Sequence, residues 1–181
     1  TKRKIESINN FVNKFRSNTK IVDLGSNLTT KDIGNIDLRI DNDLSVCRQM
    51  RQFFDNSKII LQINIADCLR LSDSNDFKAL NLYGSAEAAI MTSIIHHLLI
   101  DYGLPLEVFY ENLSKLYRNI LLEFPTSNDP MVNLLMNKRN ERIIWDWEKK
   151  HVPICTKFFE IKNKYKLSES RYLYELKRKN I

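Results

Sequence analysis

Four apolar runs in this chain of 181 residues reach an acid. "KIVDLG" reaches Asp23, "LRIDND" Asp41, "INIAD" Asp67 and "NILLEF" Glu123. A fifth run, "AAIMTSIIHHLL", carries Ser93, His96 and His97 instead. Carboxylates at such positions accept hydrogen bonds. Asp41 can take both hydroxyls of a ribose, and Asp67 can accept from an exocyclic amino group. Gly25, just past Asp23, lets a ligand approach the backbone closely. Several acids around one pocket disfavour a polyphosphate and favour a ligand rich in hydroxyl and amino donors, a cationic one included. Histidine titrates near neutrality, so His96 or His97 can act as a base. Adjacent side chains in a regular element diverge, so one histidine is expected to line the pocket and the other to be packed or solvated. Neither a metal site nor a disulfide framework is expected. Cys47, Cys68 and Cys155 form no CxxC pair, and no cysteine or carboxylate stands at ligand spacing from the histidines.

Such residues meet only if parallel strands of one sheet carry them, and the sequence alternates accordingly. Ile5, Ile8, Phe11, Val12 and Phe15 have helical spacing. "KIVDLG" follows as a short strand, then "IDLRID" with Ile36, Leu38 and Ile40 in phase. Asp43 can cap a helix whose Leu44, Cys47, Met50 and Phe54 share a face. "KIILQINIAD" is strand-like, whereas "AAIMTSII" is undecided between strand and helix by periodicity alone. Pro105 opens a helix with Leu106, Phe109, Leu113 and Leu116 along one stripe, and "NILLEF" follows as a strand. Asp129 and Pro130 suit a helix start, while Trp145 and Trp147 are expected on a short helix covering the sheet, where they could grip a substrate. "TKFFEIKNKYKL" and "RYLYELKR" read as a terminal hairpin closed by residues 167–170. Repeated strand–helix units imply a three-layer α/β domain, with six or seven mostly parallel strands and an antiparallel hairpin at one edge.

Composition places this in a folded domain rather than a disordered chain: 43% of residues are hydrophobic and 28% charged. No apolar run approaches the roughly 18 residues needed to cross a membrane. The net charge is +6, and residues 157–181 hold eight basic and three acidic side chains. Such a tail attracts nucleic acid or an anionic surface, but a solvated lysine-rich sheet edge is the favoured reading. Reduced thiols suggest a cytoplasmic protein. The chain reads as one domain, 1–181, with an N-terminal helix within 1–18 and a core over 20–178. A first residue other than Met suggests a piece of a longer protein.

This order resembles the class I S-adenosylmethionine-dependent methyltransferases. "KIVDLGSN" resembles their first motif, "RIDND" the second, and "INIADC" the acid after the third strand. "AAIMTSIIHHLLIDYGLPL" and "ILLEFPTSNDPMVNLLMNKRN" resemble a bacterial subgroup with Ile-His-His-Leu after strand 4 and Glu-Phe then Asp-Pro after strand 5. The resemblance spans about residues 20 to 178. It implies a Rossmann-like sheet of about seven strands and S-adenosylmethionine as cofactor. Asp23, Gly25 and Asn27 would line its methionine end, Asp41 would hold the ribose, Asn42 would lie beside the adenine, and Asp67 would meet the adenine amino group. Ser93 and His96 would lie near the methyl-transfer zone, with His96 or His97 as the base. The implied activity is methyl transfer to an oxygen or nitrogen of a small molecule or carrier-linked substrate. Neither the Asn/Asp-Pro-Pro-aromatic signature of nucleobase amino methylation nor the Pro-Cys pair of cytosine carbon methylation is present, so a nucleic-acid acceptor is not favoured. One departure stands out: only ten residues, 26–35, separate Gly25 from the second strand, and the usual second glycine is missing. That leaves room for one or two helical turns. The alternative is therefore a degenerate, non-catalytic domain of the same fold, serving as a binding or scaffold module, or one whose pocket a protein partner completes.

Overall fold

The structure, a computed structural model, describes residues 2–26, 30–54, 58–71, 74–139 and 144–180. Helix α1 (Lys2–Val12) precedes β1 (Ile21–Leu24) and β2 (Leu38–Asp41). Then come α2 (Leu44–Phe53), β3 (Ile59–Gln62), α3 (Ile65–Arg70), α4 (Asn75–Ala79) and β4 (Ala86–Met91). The second half contains α5 (Leu106–Leu116), β5 (Tyr117–Pro125), α6 (Pro130–Arg139), α7 (Val152–Phe158), β6 (Phe159–Lys166) and β7 (Arg171–Arg178). Short π-helical turns occupy Leu80–Gly84, His97–Asp101 and Trp147–His151.

One seven-stranded sheet runs in the order β3-β2-β1-β4-β5-β7-β6. The first five strands are mutually parallel, and β7 is antiparallel to both β5 and β6. Strand order reverses between β1 and β4, which opens a crevice at their carboxyl ends. Strand alternation supplies the two cores. Ala88, Ile90, Leu121 and Leu173 face Ile8, Phe11 and Val12 of α1. Ala89, Met91, Ile120, Leu122 and Phe124 face the opposite layer, where α5 presents Phe109, Leu113 and Leu116. "AAIMTSII" is therefore a strand for its first half only. Among the described residues, no helix is long and apolar enough to cross a membrane.

Helix starts match their capping chemistry. Asp43 accepts from the Ser45 and Val46 amides at α2, and Asp129 accepts from Met131 N–H at α6. The hairpin turns at 167–170, as its polar residues suggest.

Three expectations are revised. "INIAD" is not a strand end, because β3 stops at Gln62 and Asn64 caps α3 by accepting from the Ala66 and Asp67 amides. Asp67 is thus in the first turn of a helix. Thr156 to Phe158 belong to α7, and β6 starts only at Phe159. Finally, the described residues 30–37 form turns and no helix. There the Arg39 guanidinium, buried behind the loop, donates to the carbonyls of Thr30, Ile33 and Ile36 at 3.1–3.2 Å and lies 3.9 Å from the Phe54 ring centroid. A single fork of donors ties down backbone that a helix would otherwise satisfy internally.

Candidate active site

A cleft of about 300 Å³ opens at the switch point. Gly25 forms its floor. Its φ of +71° is in the region that favours glycine, and a Cβ there would sit 2.6 Å from Ile94 Cδ1. Its amide bonds Ile40 O at 2.8 Å, which joins the β1 tip to β2. At the β2 tip the Asp41 carboxylate accepts from Asp43 N–H at 3.0 Å, and the Asn42 amide donates to the Tyr102 hydroxyl at 2.9 Å. Asn64, Ile65 and Ala66 contribute the start of α3. Ser93, at a φ of +59°, and His97 close the cleft from β4. Strained backbone of this kind clusters at ligand sites.

Of the residues expected from the sequence, Gly25, Asp41, Asn42, Ser93 and His97 line this cleft. Asp23, Asp67 and His96 do not, and Asn27 lies outside the described residues. Asp23 is fully buried beneath the floor. Thr30 donates its hydroxyl proton to one carboxylate oxygen, while Oδ1 has no hydrogen-bond partner. Burial raises the Asp23 pKa, opposed by the Thr30 and Ser26 hydroxyls and the Arg39 charge. Asp67 is exposed and accepts from the Asn64 side chain at 2.7 Å. The two histidine rings do not diverge. They pack at 4.4 Å where the π-helical turn begins, with His97 at the cleft and His96 buried behind it. Burial, helped by the His97 and Arg171 charges, lowers the His96 pKa to about 4, so it is neutral at pH 7.

An ion-pair network adjoins the cleft. Ser93 Oγ donates to Glu123 at 3.2 Å and accepts from Lys4 at 3.0 Å and Arg171 at 3.3 Å. Glu123, 1% exposed, meets Lys4 at 2.6 Å and Arg171 at 2.9 Å. Arg171 also holds Asp129 at 2.7 and 3.1 Å. Burial would raise both carboxylates, but Lys4 and Arg171 outweigh it for Glu123, and Arg171 outweighs it for Asp129, so each is held below its usual range. Sequence reading missed Lys4 and Arg171, which converge from opposite ends of the chain. Arg39 did leave a trace, as a charged residue in a strand beside a connection with room for only one or two helical turns.

No family model and no curated protein matches the sequence. Solved structures do. A protein from Pyrococcus horikoshii is similar at a TM-score of 0.60 and 16% identity, over 98% of this chain and 91% of that one. A SAM-dependent methyltransferase from Anabaena variabilis is similar at 0.64 and 12%, over 97% and 83%. The 16S rRNA methylase ArmA is similar at 0.59 and 11%, over 97% and 84%. The fold is that of the class I methyltransferases. Four lysines of the basic C-terminal segment are paired with acids. Lys157 meets Glu107 at 2.7 Å, Lys164 meets Glu148 at 3.6 Å and Lys166 meets Glu169 at 2.7 Å, while Lys162 pairs with Glu160.

Proposed function

We propose that the switch-point cleft binds S-adenosylmethionine and that the protein transfers its methyl group to an oxygen or nitrogen of a small molecule or carrier-linked acceptor. The observation that carries this reading is the convergence of Gly25, Asp41, Asn64 and Ser93 on one cleft. Its residues suit the ligand. Gly25, whose missing Cβ admits the Ile94 side chain against the β1 tip, lines the cleft where the methionine portion would lie, beside the buried Asp23 that braces the loop. Asp41 is placed for ribose hydroxyls, while Asn42, Asn64 and Ala66 border the base in place of Asp67. When bound, the donor supplies an electrophilic methyl on a sulfonium. The chain's part is alignment, plus a base where the acceptor must lose a proton. His97 takes that role because it faces the cleft, with Asp101 Oδ2 3.9 Å from its Nδ1. Ser93, fixed by Lys4, Glu123 and Arg171, marks the acceptor side.

Calorimetric titration with S-adenosylmethionine and S-adenosylhomocysteine tests this. Micromolar binding is expected, weakened by about 1–3 kcal/mol in Asp41→Ala. His97→Ala should bind the donor normally yet lose turnover. No heat and no thermal stabilisation at millimolar ligand would favour a second reading, a non-catalytic binding or scaffold module. Its support is the turn-only backbone of residues 30–37, between β1 and β2.

A further inference from the structure

A second cavity, of about 250 Å³, lies on the α5–α7 side of the sheet near the β5 tip. Its walls are Phe124, Trp145, Trp147, Tyr172 and Tyr174. The rings brace each other: Phe124 stacks on Trp145 at 5.0 Å and Trp147 on Tyr174 at 3.8 Å. Trp145 Nε1 donates to Pro125 O at 2.6 Å, which fixes its ring. Asp146 and Glu148 stand at the rim. The chain's own Lys164 reaches in, its ammonium 4.8 Å from the Tyr172 ring centroid, 5.5 Å from that of Tyr174 and 3.6 Å from Glu148.

We propose that this cavity is a binding site for an organic cation, an alkylammonium or quaternary ammonium group, for which Lys164 is the resident stand-in. Aromatic faces carry negative potential and attract a cation within about 6 Å, most strongly where water is excluded. Two carboxylates against one lysine leave the rim with an excess of negative charge. His151 packs on Trp145 and Trp147 from behind without offsetting it, since burial pushes that imidazole down to about 3 and keeps it neutral. Lys164 is a displaceable occupant. Its side chain is 47% exposed and Glu148, its carboxylate contact among the described residues, is 70% exposed. Trp145 and Tyr174 are held from behind, so the site is preformed and a ligand that displaces Lys164 meets little ordering cost. The inference is independent of the donor cleft, which no cage residue lines.

The chain's two tryptophans both line this cavity, so fluorescence excited selectively at tryptophan reports on it. The experiment titrates the full chain with choline chloride at constant ionic strength, and in parallel with 3,3-dimethyl-1-butanol, its neutral isostere. Saturable fluorescence change with choline and none with the alcohol is expected. Lys164→Ala should tighten choline by about two- to fivefold, the scale of an exposed cation–π contact. Tyr172→Leu should weaken it by a similar factor, while Tyr172→Phe retains it. A titration that the alcohol reproduces, a choline curve that does not saturate, or an affinity that Lys164→Ala leaves unchanged or lowers would each overturn the proposal. Choline should not displace S-adenosylhomocysteine; competition between them would likewise overturn it.

Discussion

The two halves of the sheet are built on different principles. β1, β2 and β3 have four residues each, joined by short connections, and the loop between the first two is tied to one buried guanidinium. β5, β6 and β7 have eight or nine residues, with a buried network of opposite charges at their tips and stacked aromatics on one face. The switch-point cleft straddles the boundary. The first half lines it with Gly25 and Asp41, and the Ser93 hydroxyl links it to the buried Glu123 of the second half. A pocket wall held by backbone carbonyls and one arginine is open to loss by a single substitution. A charged network resists small changes but fails when one partner goes.

Acid should break the second half first. His96 and His151 are neutral in the folded chain, at about 4 and about 3, against 6.5 for the free side chain. A depressed histidine pKa means that the unfolded chain binds more protons below 6.5. Stability is therefore complete above pH 6.5 and falls as pH drops towards 4, by up to about 1.4 kcal/mol per unit for each group. Urea midpoints between pH 7 and 4.5 should show that slope, and His96→Asn should flatten it. A pH-independent midpoint would mean that the histidines are not buried as described. Glu123→Ala comes next. It takes the carboxylate from Lys4, leaves Arg171 with Asp129 as its acid, and should cost about 3–5 kcal/mol in urea unfolding, with α1 losing amide protection in hydrogen exchange.

In the first half, Arg39→Met removes the guanidinium donor from the Thr30, Ile33 and Ile36 carbonyls, of which Thr30 O keeps the Ile33 amide. About 2–4 kcal/mol of lost stability is expected, with a weaker S-adenosylhomocysteine titration and the β5–β7 amides still protected. Should Arg39→Met bind as wild type, the loop is held by something else. Gly25→Ala combines a positive φ with a 2.6 Å approach to Ile94 and should cost about 2–3 kcal/mol, read from thermal unfolding. The smallest effect belongs to the rim of the second half. Lys157→Ala breaks an exposed pair with Glu107 and should leave the midpoint within error.

Much of the fold was legible because local chemistry agreed with the global plan. Asp43 and Asp129 announced helix starts, the polar residues 167–170 announced the turn, and in-phase Leu38 and Ile40 announced a strand. Gly25 and Asp41 were legible as strand-tip residues for the same reason, since a glycine and an acid stand at the ends of apolar runs. Asp67 was misplaced because "INIAD" reads equally well as a strand end or a helix start, and the Asn64 cap decides between them.

The sequence by itself determined the alternation of elements, the caps and the identity of several tip residues, because these depend on side chains within a few positions of each other. Only the tertiary structure decided which histidine faces the cleft, that Lys4 and Arg171 share Glu123, and that Lys164 sits over two tyrosines. Those pairings join residues far apart in the chain, and burial and charge act through space. No periodicity along the sequence encodes them.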